Sequence, residues 1–221
     1  MKVYDMKQGS EEWWAARKGV PTVSKFDSVI TAKTAKPCSK MKTYMYSLIE
    51  EIALNGDPEF RSSFTSKAMQ NGTNTEDEAR LYFELETGLK VKQVGFCMDD
   101  DNRFGCSPDG LIGEDGGLEL KAPMLKTQAG YLDEGVLPDA YKQQVHGSLA
   151  VTGRSYWIFY SYCVGLPSFT VTVRPDEYTQ ELRKCMTKFW QEWSKMKAKP
   201  CFAGLFSEKP TPELEPEHIL F

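Results

Sequence analysis

Residues 106–123 read Cys-Ser-Pro-Asp-Gly-Leu-Ile-Gly-Glu-Asp-Gly-Gly-Leu-Glu-Leu-Lys-Ala-Pro. Two short apolar runs, Leu111-Ile112 and residues 118–122, flank a Gly-Glu-Asp-Gly-Gly connector, and glycine supplies the positive φ that so short a connection needs. The stretch is predicted to be a β-hairpin. Side chains alternate faces along a strand, so Glu119 and Lys121 share one face while Leu118, Leu120 and Ala122 share the other. Asp109 sits on the neighbouring strand. A carboxylate and an ammonium two residues apart, beside a second carboxylate, suit metal-assisted phosphodiester hydrolysis. Carboxylate oxygens are hard ligands for Mg²⁺, and a lysine stabilises charge at the phosphate or orients the attacking water. A solvated cross-strand pair uses the same residue types without chemistry. The otherwise apolar strand, and the Ser-Pro-Asp-Gly turn that directs Asp109 toward it, favour a site.

Working outward, the 221 residues are 41% hydrophobic and 26% charged, the composition of one globular domain. The domain is expected over residues 1–200, with a tail over 201–221 that docks on its own or a neighbouring subunit. No apolar run reaches the roughly 20 residues of a membrane span, and the first residues lack a signal-peptide core. A cytoplasmic protein is expected. Six cysteines without Cys-x-x-Cys spacing and only two histidines exclude a zinc constellation and read as reduced thiols, mostly buried. A net charge of −4 argues against a nucleic-acid coat protein. It leaves room for a DNA enzyme with a locally basic channel.

N-terminal to the hairpin, residues 10–18 form a short helix capped by Ser10 and stopped at Gly19. Arg17 lies in its last turn. Ser24 and Asp27 have capping-box spacing for a second helix, so an arginine faces a helix N-terminus, the makings of a phosphate pocket. Simple capping by Arg17 and Ser24 explains the same residues. Residues 31–42 form a lysine-rich polar loop, and 44–54 return to helical periodicity. Thr75 and Glu78 read as the capping box of a helix that places Glu76 in its first turn, bordering the apolar stripe. Residues 91–98 are predicted as one strand, followed by an acidic turn at 99–102 that stays solvated.

C-terminal to it, residues 138–152 form a helix ended by Gly153. Gln144 lies there on a partly buried stripe with Tyr141 and Val145, where a hydrogen-bonded core amide is the plain reading. His146 faces elsewhere and has no catalytic part. Residues 155–163 and 168–174 form a second hairpin around Gly165-Leu166-Pro167. Residues 176–197 form a long amphipathic helix with Tyr178, Leu182, Met186, Phe189 and Trp193 as its ridge.

Ser-Pro-Asp-Gly-Leu followed by Leu-Glu-Leu-Lys-x-Pro resembles the phage lambda exonuclease group of viral recombination nucleases, built on the restriction-endonuclease-like core. Trp13-x-x-x-Arg17-x-Gly19-Val20-x-Thr22-x-Ser24 and the Gly72-x-x-x-Glu76-x-x-Ala79-Arg80 segment match the same group. The likeness implies that Arg17 and Ser24 grip the 5′-phosphate of a DNA end, with Ser107 assisting. It implies that Glu76 stands beside the metals and that Gln144 closes the active site. It also sets Met41 and Met69 about where apolar wedges part the duplex, although core methionines account for both equally well. The segment before Glu76 lacks the tryptophan of the lambda enzyme.

The sequence therefore predicts an α/β fold, a small mixed sheet flanked by helices. The expected activity is a Mg²⁺-dependent exonuclease, with Mn²⁺ as substitute, that degrades one strand of linear duplex DNA from a 5′-phosphorylated end and leaves a 3′ overhang. Asp109, Glu119 and the Leu120 carbonyl would bind metal, Glu76 would assist, and Lys121 would serve the water or the transition state. The resemblance implies the direction, a phage or prophage origin, a single-strand annealing recombinase as partner and a homotrimer. The rivals are a sequence-specific endonuclease of the same core and a DNA-end-binding module without turnover.

Overall fold

The computed structural model describes residues 1–54 and 67–206, with residues 67–75 described in their backbone only. In chain order the elements are β1 Lys2–Tyr4, α1 Glu11–Arg17, a 3-10 turn Val23–Ser28, α2 Met41–Ala53, α3 Lys67–Thr87, β2 Val91–Lys92, β3 Phe96–Met98, β4 Gly105–Cys106, β5 Gly110–Ile112, β6 Gly116–Lys121, α4 Leu125–Glu134, α5 Asp139–Thr152, β7 Tyr156–Ser161, β8 Phe169–Val173, α6 Glu177–Lys197 and α7 Pro200–Phe206.

A five-stranded sheet runs in the order β2-β5-β6-β7-β8, and a three-stranded sheet in the order β1-β3-β4. β5 and β6 form the expected hairpin, pairing Gly110 with Leu118 and Ile112 with Gly116. β6 pairs with β7 in parallel, Glu119 opposite Phe159. Parallel neighbours need a crossover of a dozen residues or more, and α4 and α5 supply it. β7 and β8 close as the second predicted hairpin.

The alternation along β6 decides which side faces what. Leu118 and Leu120 turn to one side and pack with Ile158 and Tyr160 of β7 against Ala79 and Phe83 of α3. On the other side Trp157 and Phe159 join Val145 and Leu149 of α5 and Leu182 and Phe189 of α6 in the main core. The fold is thus the mixed α/β arrangement that the sequence predicts, a small sheet between helices. α6 carries a full capping box at Asp176 and Thr179, and His146 is buried with its Nδ1 2.8 Å from Thr179 Oγ1, a structural placement.

Three local expectations are corrected. Residues 22–27 do not start an α-helix but a short 3-10 segment of two turns whose N-cap Thr22 makes no side-chain capping bond. Its buried residues Val23, Phe26 and Val29 recur every three positions, which is the 3-10 period. Residues 91–98 are two strands in different sheets, broken at Gly95, where an added Cβ would lie 2.3 Å from the Met6 carbonyl oxygen. α3 begins at Lys67, so Thr75 and Glu78 are interior and Glu76 stands in mid-helix. The polar run before Thr75, with Asn71-Gly72, carries no helical stripe that would reveal the earlier start. At the end of the described chain, α7 packs on its own subunit, with Phe206 edge-on against Trp193 at 5.8 Å and Phe202 against the main core. The tail residues Ile219, Leu220 and Phe221 lie outside the described residues. All six cysteines are free thiols, but only Cys97, Cys106 and Cys185 are buried.

Candidate active site

β6 delivers Glu119 and Lys121 to the side of the sheet that faces α5. The Glu119 side chain is buried and its Oε1 accepts from Lys121 Nζ. The same oxygen accepts from Gln144 Nε2 of α5 at 2.7 Å. Asp109, at the entrance to β5, turns its Oδ2 onto the Leu120 N–H at 2.6 Å, so the two strands of the hairpin fix each other's acids. Lys121 Nζ also lies 5.2 Å from the Tyr141 ring centre, a cation–π approach. From across the sheet, α3 presents Glu76, close enough that the charges of Asp109 and Lys121 act on it.

The electrostatics follow from three acids sharing little water. Burial pushes the Glu119 carboxyl up to about 7, and Asp109 and Glu76 add to the rise while Lys121 opposes it. Burial likewise raises Asp109, against Lys121, the Leu120 N–H and Arg80. Glu76 is raised by burial first and then by Asp109. Burial acts to lower Lys121, but Glu119 and Asp109 outweigh it and hold the ammonium above its ordinary range. Lys121 alone cannot neutralise this group of acids, so negative charge is left in excess. A divalent cation relieves such an excess, and the donors are all hard oxygens, so the residues present fit Mg²⁺. Among the described residues no three acidic, histidine or cysteine side chains converge as a preformed cage. That agrees with the habit of Mg²⁺ of binding through one or two carboxylates plus water and substrate phosphate.

A second cluster gathers Arg17, Ser107 and Trp13. Arg17 Nη1 donates to Ser107 Oγ at 2.8 Å, and the guanidinium stacks over the Trp13 ring at 4.2 Å. Trp13 Nε1 donates to the same Ser107 Oγ at 2.9 Å and to the Gly95 carbonyl at 3.0 Å. Arg17 makes no ion pair with a described carboxylate; burial lowers its pKa, with Tyr44 and Glu51 acting against that. Ser24 is exposed on the 3-10 turn, its Oγ 3.3 Å from Thr22 Oγ1. Thr22 bridges Gly105 of β4, and Ser107 is two residues further along that strand's exit. A chain of contacts therefore ties the turn to the cluster.

Of the residues singled out in the sequence, the structure gathers Asp109, Glu119, Lys121 and Gln144 by direct bonds, brings Glu76 into their field, and joins Arg17 to Ser107. Met41, for which the sequence offers both a wedge and a core reading, is 9% exposed and packed in the main core. Met69 lies outside the residues whose side chains are described. The sequence reading names Trp13, Arg80 and Tyr141 within its patterns but gives none of them a part in the site. Arg80 follows Glu76 by one helical turn and bonds Asp77 at 2.7 Å, so its place near the acids was legible from i, i+4 spacing. Nothing in the sequence reveals that an indole at position 13 meets a hydroxyl at 107.

Residues 12–155 match the YqaJ-like viral recombinase domain. The fold is similar to an alkaline exonuclease (LHK-Exo) from Laribacter hongkongensis at 31% identity, with 85% of this chain and 96% of that chain covered and a TM-score of 0.66. The same enzyme in complex with dAMP gives 31% identity over the same shares and a TM-score of 0.65. A phage-related exonuclease from Haemophilus somnus 129PT shares the fold at 14% identity, with 80% of this chain and 96% of that chain covered and a TM-score of 0.58. No curated protein matches the chain.

Proposed function

This chain belongs to the YqaJ-like viral recombinase family and is a phage-type recombination exonuclease acting on DNA, and from that premise we propose that it degrades one strand of linear duplex in the 5′ to 3′ direction with Mg²⁺, leaving a 3′ overhang. The observation that carries this is the bonded set at β6: a buried Glu119 held by Lys121 and Gln144, with Asp109 locked to the Leu120 amide.

In this reading Asp109, Glu119 and the Leu120 carbonyl hold the metal, with Glu76 beside them and Mn²⁺ a workable substitute. The metal supplies polarisation of the scissile phosphate and a more acidic bound water. Lys121 keeps its proton at neutral pH and places a fixed positive charge where the phosphate gathers negative charge. Gln144 holds the Glu119 carboxylate in one orientation, so its second oxygen keeps its aim. Tyr141 shields Lys121 from water on one side. At the cluster beyond, Arg17, Ser107 and Ser24 receive the terminal 5′-phosphate. An arginine without an ion-pair partner among the described residues, stacked on an aromatic, presents its remaining N–H groups to an anion. The 3′ overhang would pass to a single-strand annealing recombinase. The active species would be a homotrimer, since an acidic 25.1 kDa subunit has little basic surface to retain duplex and a closed ring does so by enclosure.

No helix among the described residues is long and apolar enough to cross a membrane. The test is digestion of linear and covalently closed circular duplex with Mg²⁺ or EDTA. Linear DNA should be consumed only with the metal and closed circles should survive. Nicking or linearisation of the circles would instead support a sequence-specific endonuclease. Within the same assay, Arg17→Ala should slow 5′-phosphorylated ends about tenfold or more, the scale of one charge-assisted hydrogen bond, and affect 5′-hydroxyl ends far less. An equal loss on both substrates would return Arg17 to a capping role.

A further inference from the structure

Ser107 Oγ has two lone pairs and one hydrogen. Both lone pairs are spoken for, by Arg17 Nη1 at 2.8 Å and Trp13 Nε1 at 2.9 Å. The hydroxyl hydrogen must therefore point away from both donors, and among the described residues it meets no acceptor. An indole N–H can only donate. It therefore fixes the sense of this hydrogen bond as a neutral partner with its own lone pair would not. Trp13 is itself held in place: its single Nε1–H is shared between Ser107 Oγ and the Gly95 carbonyl at 3.0 Å, its ring meets Trp14 edge-on at 4.9 Å, and it is 8% exposed. The Arg17 guanidinium rests on that ring at 4.2 Å. One rigid side chain thus sets both the plane of the guanidinium and the direction of the Ser107 hydroxyl.

We infer that Trp13 is the positioning residue of the terminal-phosphate pocket: by donating to Ser107 Oγ and stacking under Arg17, it leaves the serine O–H as a preset donor aimed at the same anion as the guanidinium. The ligand chemistry is a phosphate monoester at a DNA 5′ end, and the inference rests on the end-recognition reading above. Its energetic logic is preorganisation. A hydroxyl already turned outward does not have to give up another bond when the phosphate arrives.

The readout is the ratio of kcat/KM on 5′-phosphorylated duplex to that on the same duplex with a 5′-hydroxyl. Trp13→Phe keeps an aromatic face under Arg17 and removes the N–H with the rest of the five-membered ring, its bond to Gly95 included; it should lower this ratio by about tenfold, the scale of one hydrogen bond from the freed hydroxyl to a charged phosphate. A merely structural role would reduce both substrates together and leave the ratio as it was. Ser107→Ala removes only the hydroxyl and should lower the ratio by a similar factor, which keeps the test alive if Trp13→Phe folds poorly. The double variant should be no worse than Ser107→Ala, because Trp13 acts through that oxygen. A wild-type ratio in either single variant, or losses that multiply in the double variant, overturns the inference while leaving end recognition by Arg17 intact. A wild-type enzyme indifferent to the 5′ group removes the end-recognition reading and this inference with it.

Discussion

At the scale of single residues, Glu119 is held in a position that suits chemistry at the expense of stability. Its carboxyl is pushed up to about 7 by burial, with Asp109 and Glu76 adding to the rise, whereas an unfolded chain would ionise it near the ordinary value of about 4.3. The folded state therefore holds the proton more tightly, and ionisation between those two pH values costs folding free energy as pH rises. Glu119→Gln keeps the shape and an oxygen that can accept from Lys121 and removes the charge. In metal-free protein at pH 8 it should raise Tm by about 2 to 4 °C, the shift that about 1 kcal/mol gives in a domain of this size. At pH 4, below both values, it should make little difference. A fall in Tm at pH 8 would mean that the Lys121 ion pair outweighs the repulsion among the acids. The same variant should lose about a hundredfold or more in strand degradation, as losses of a single stabilising group at a reacting centre do. Residues of this kind were legible because they cluster in 18 residues of sequence. Trp13 was not, because its bond to Ser107 spans 94 positions.

The elements show the same division between local and distant causes. Both hairpins were readable from alternation and turn glycines, and α5 and α6 from period and caps. The errors came where packing overrode local pattern. The 3-10 turn at Val23–Ser28 obeys the core beneath it and ignores the cap-like spacing of Ser24 and Asp27. α3 extends through a polar segment that carries no stripe, and β2 and β3 part at Gly95 because the Met6 backbone passes there. Gly117 is the analogous close approach within β6. An added Cβ there would lie 2.2 Å from the Trp157 ring, a fully buried side chain. Gly117→Ala should destabilise the fold by about 1 to 3 kcal/mol, the usual cost of overpacking, and the loss should appear as a lower urea midpoint with an unchanged m-value. A midpoint equal to wild type would show that β6 and β7 can spread apart, and would weaken the claim that their tight pairing fixes Glu119.

For the whole molecule, topology explains why the chemistry sits where it does. β6 lies at the centre of the five-stranded sheet, bonded to β5 on one side and β7 on the other, so Glu119 and Lys121 stand on the most constrained strand. The helices of the crossover bring Gln144 and Tyr141 back over that strand, and α3 adds Glu76 from the opposite side. Oligomeric state was not legible, since no residue pattern marks a ring. Light scattering at micromolar concentration should give about three times the 25.1 kDa subunit mass. A single-subunit mass that persists with DNA and Mg²⁺ would rule the homotrimer out. The proposed removal of nucleotides from 5′ ends at the Glu119 and Lys121 site meets its most direct test in a time course on linear duplex labelled at one 5′ end or one 3′ end. With Mg²⁺, wild-type protein should release the 5′ label at once as a mononucleotide, while 3′-labelled strands shorten progressively. Lys121→Ala, equal in fold, should do neither. Early release of the 3′ label, or unchanged digestion by Lys121→Ala, would contradict it.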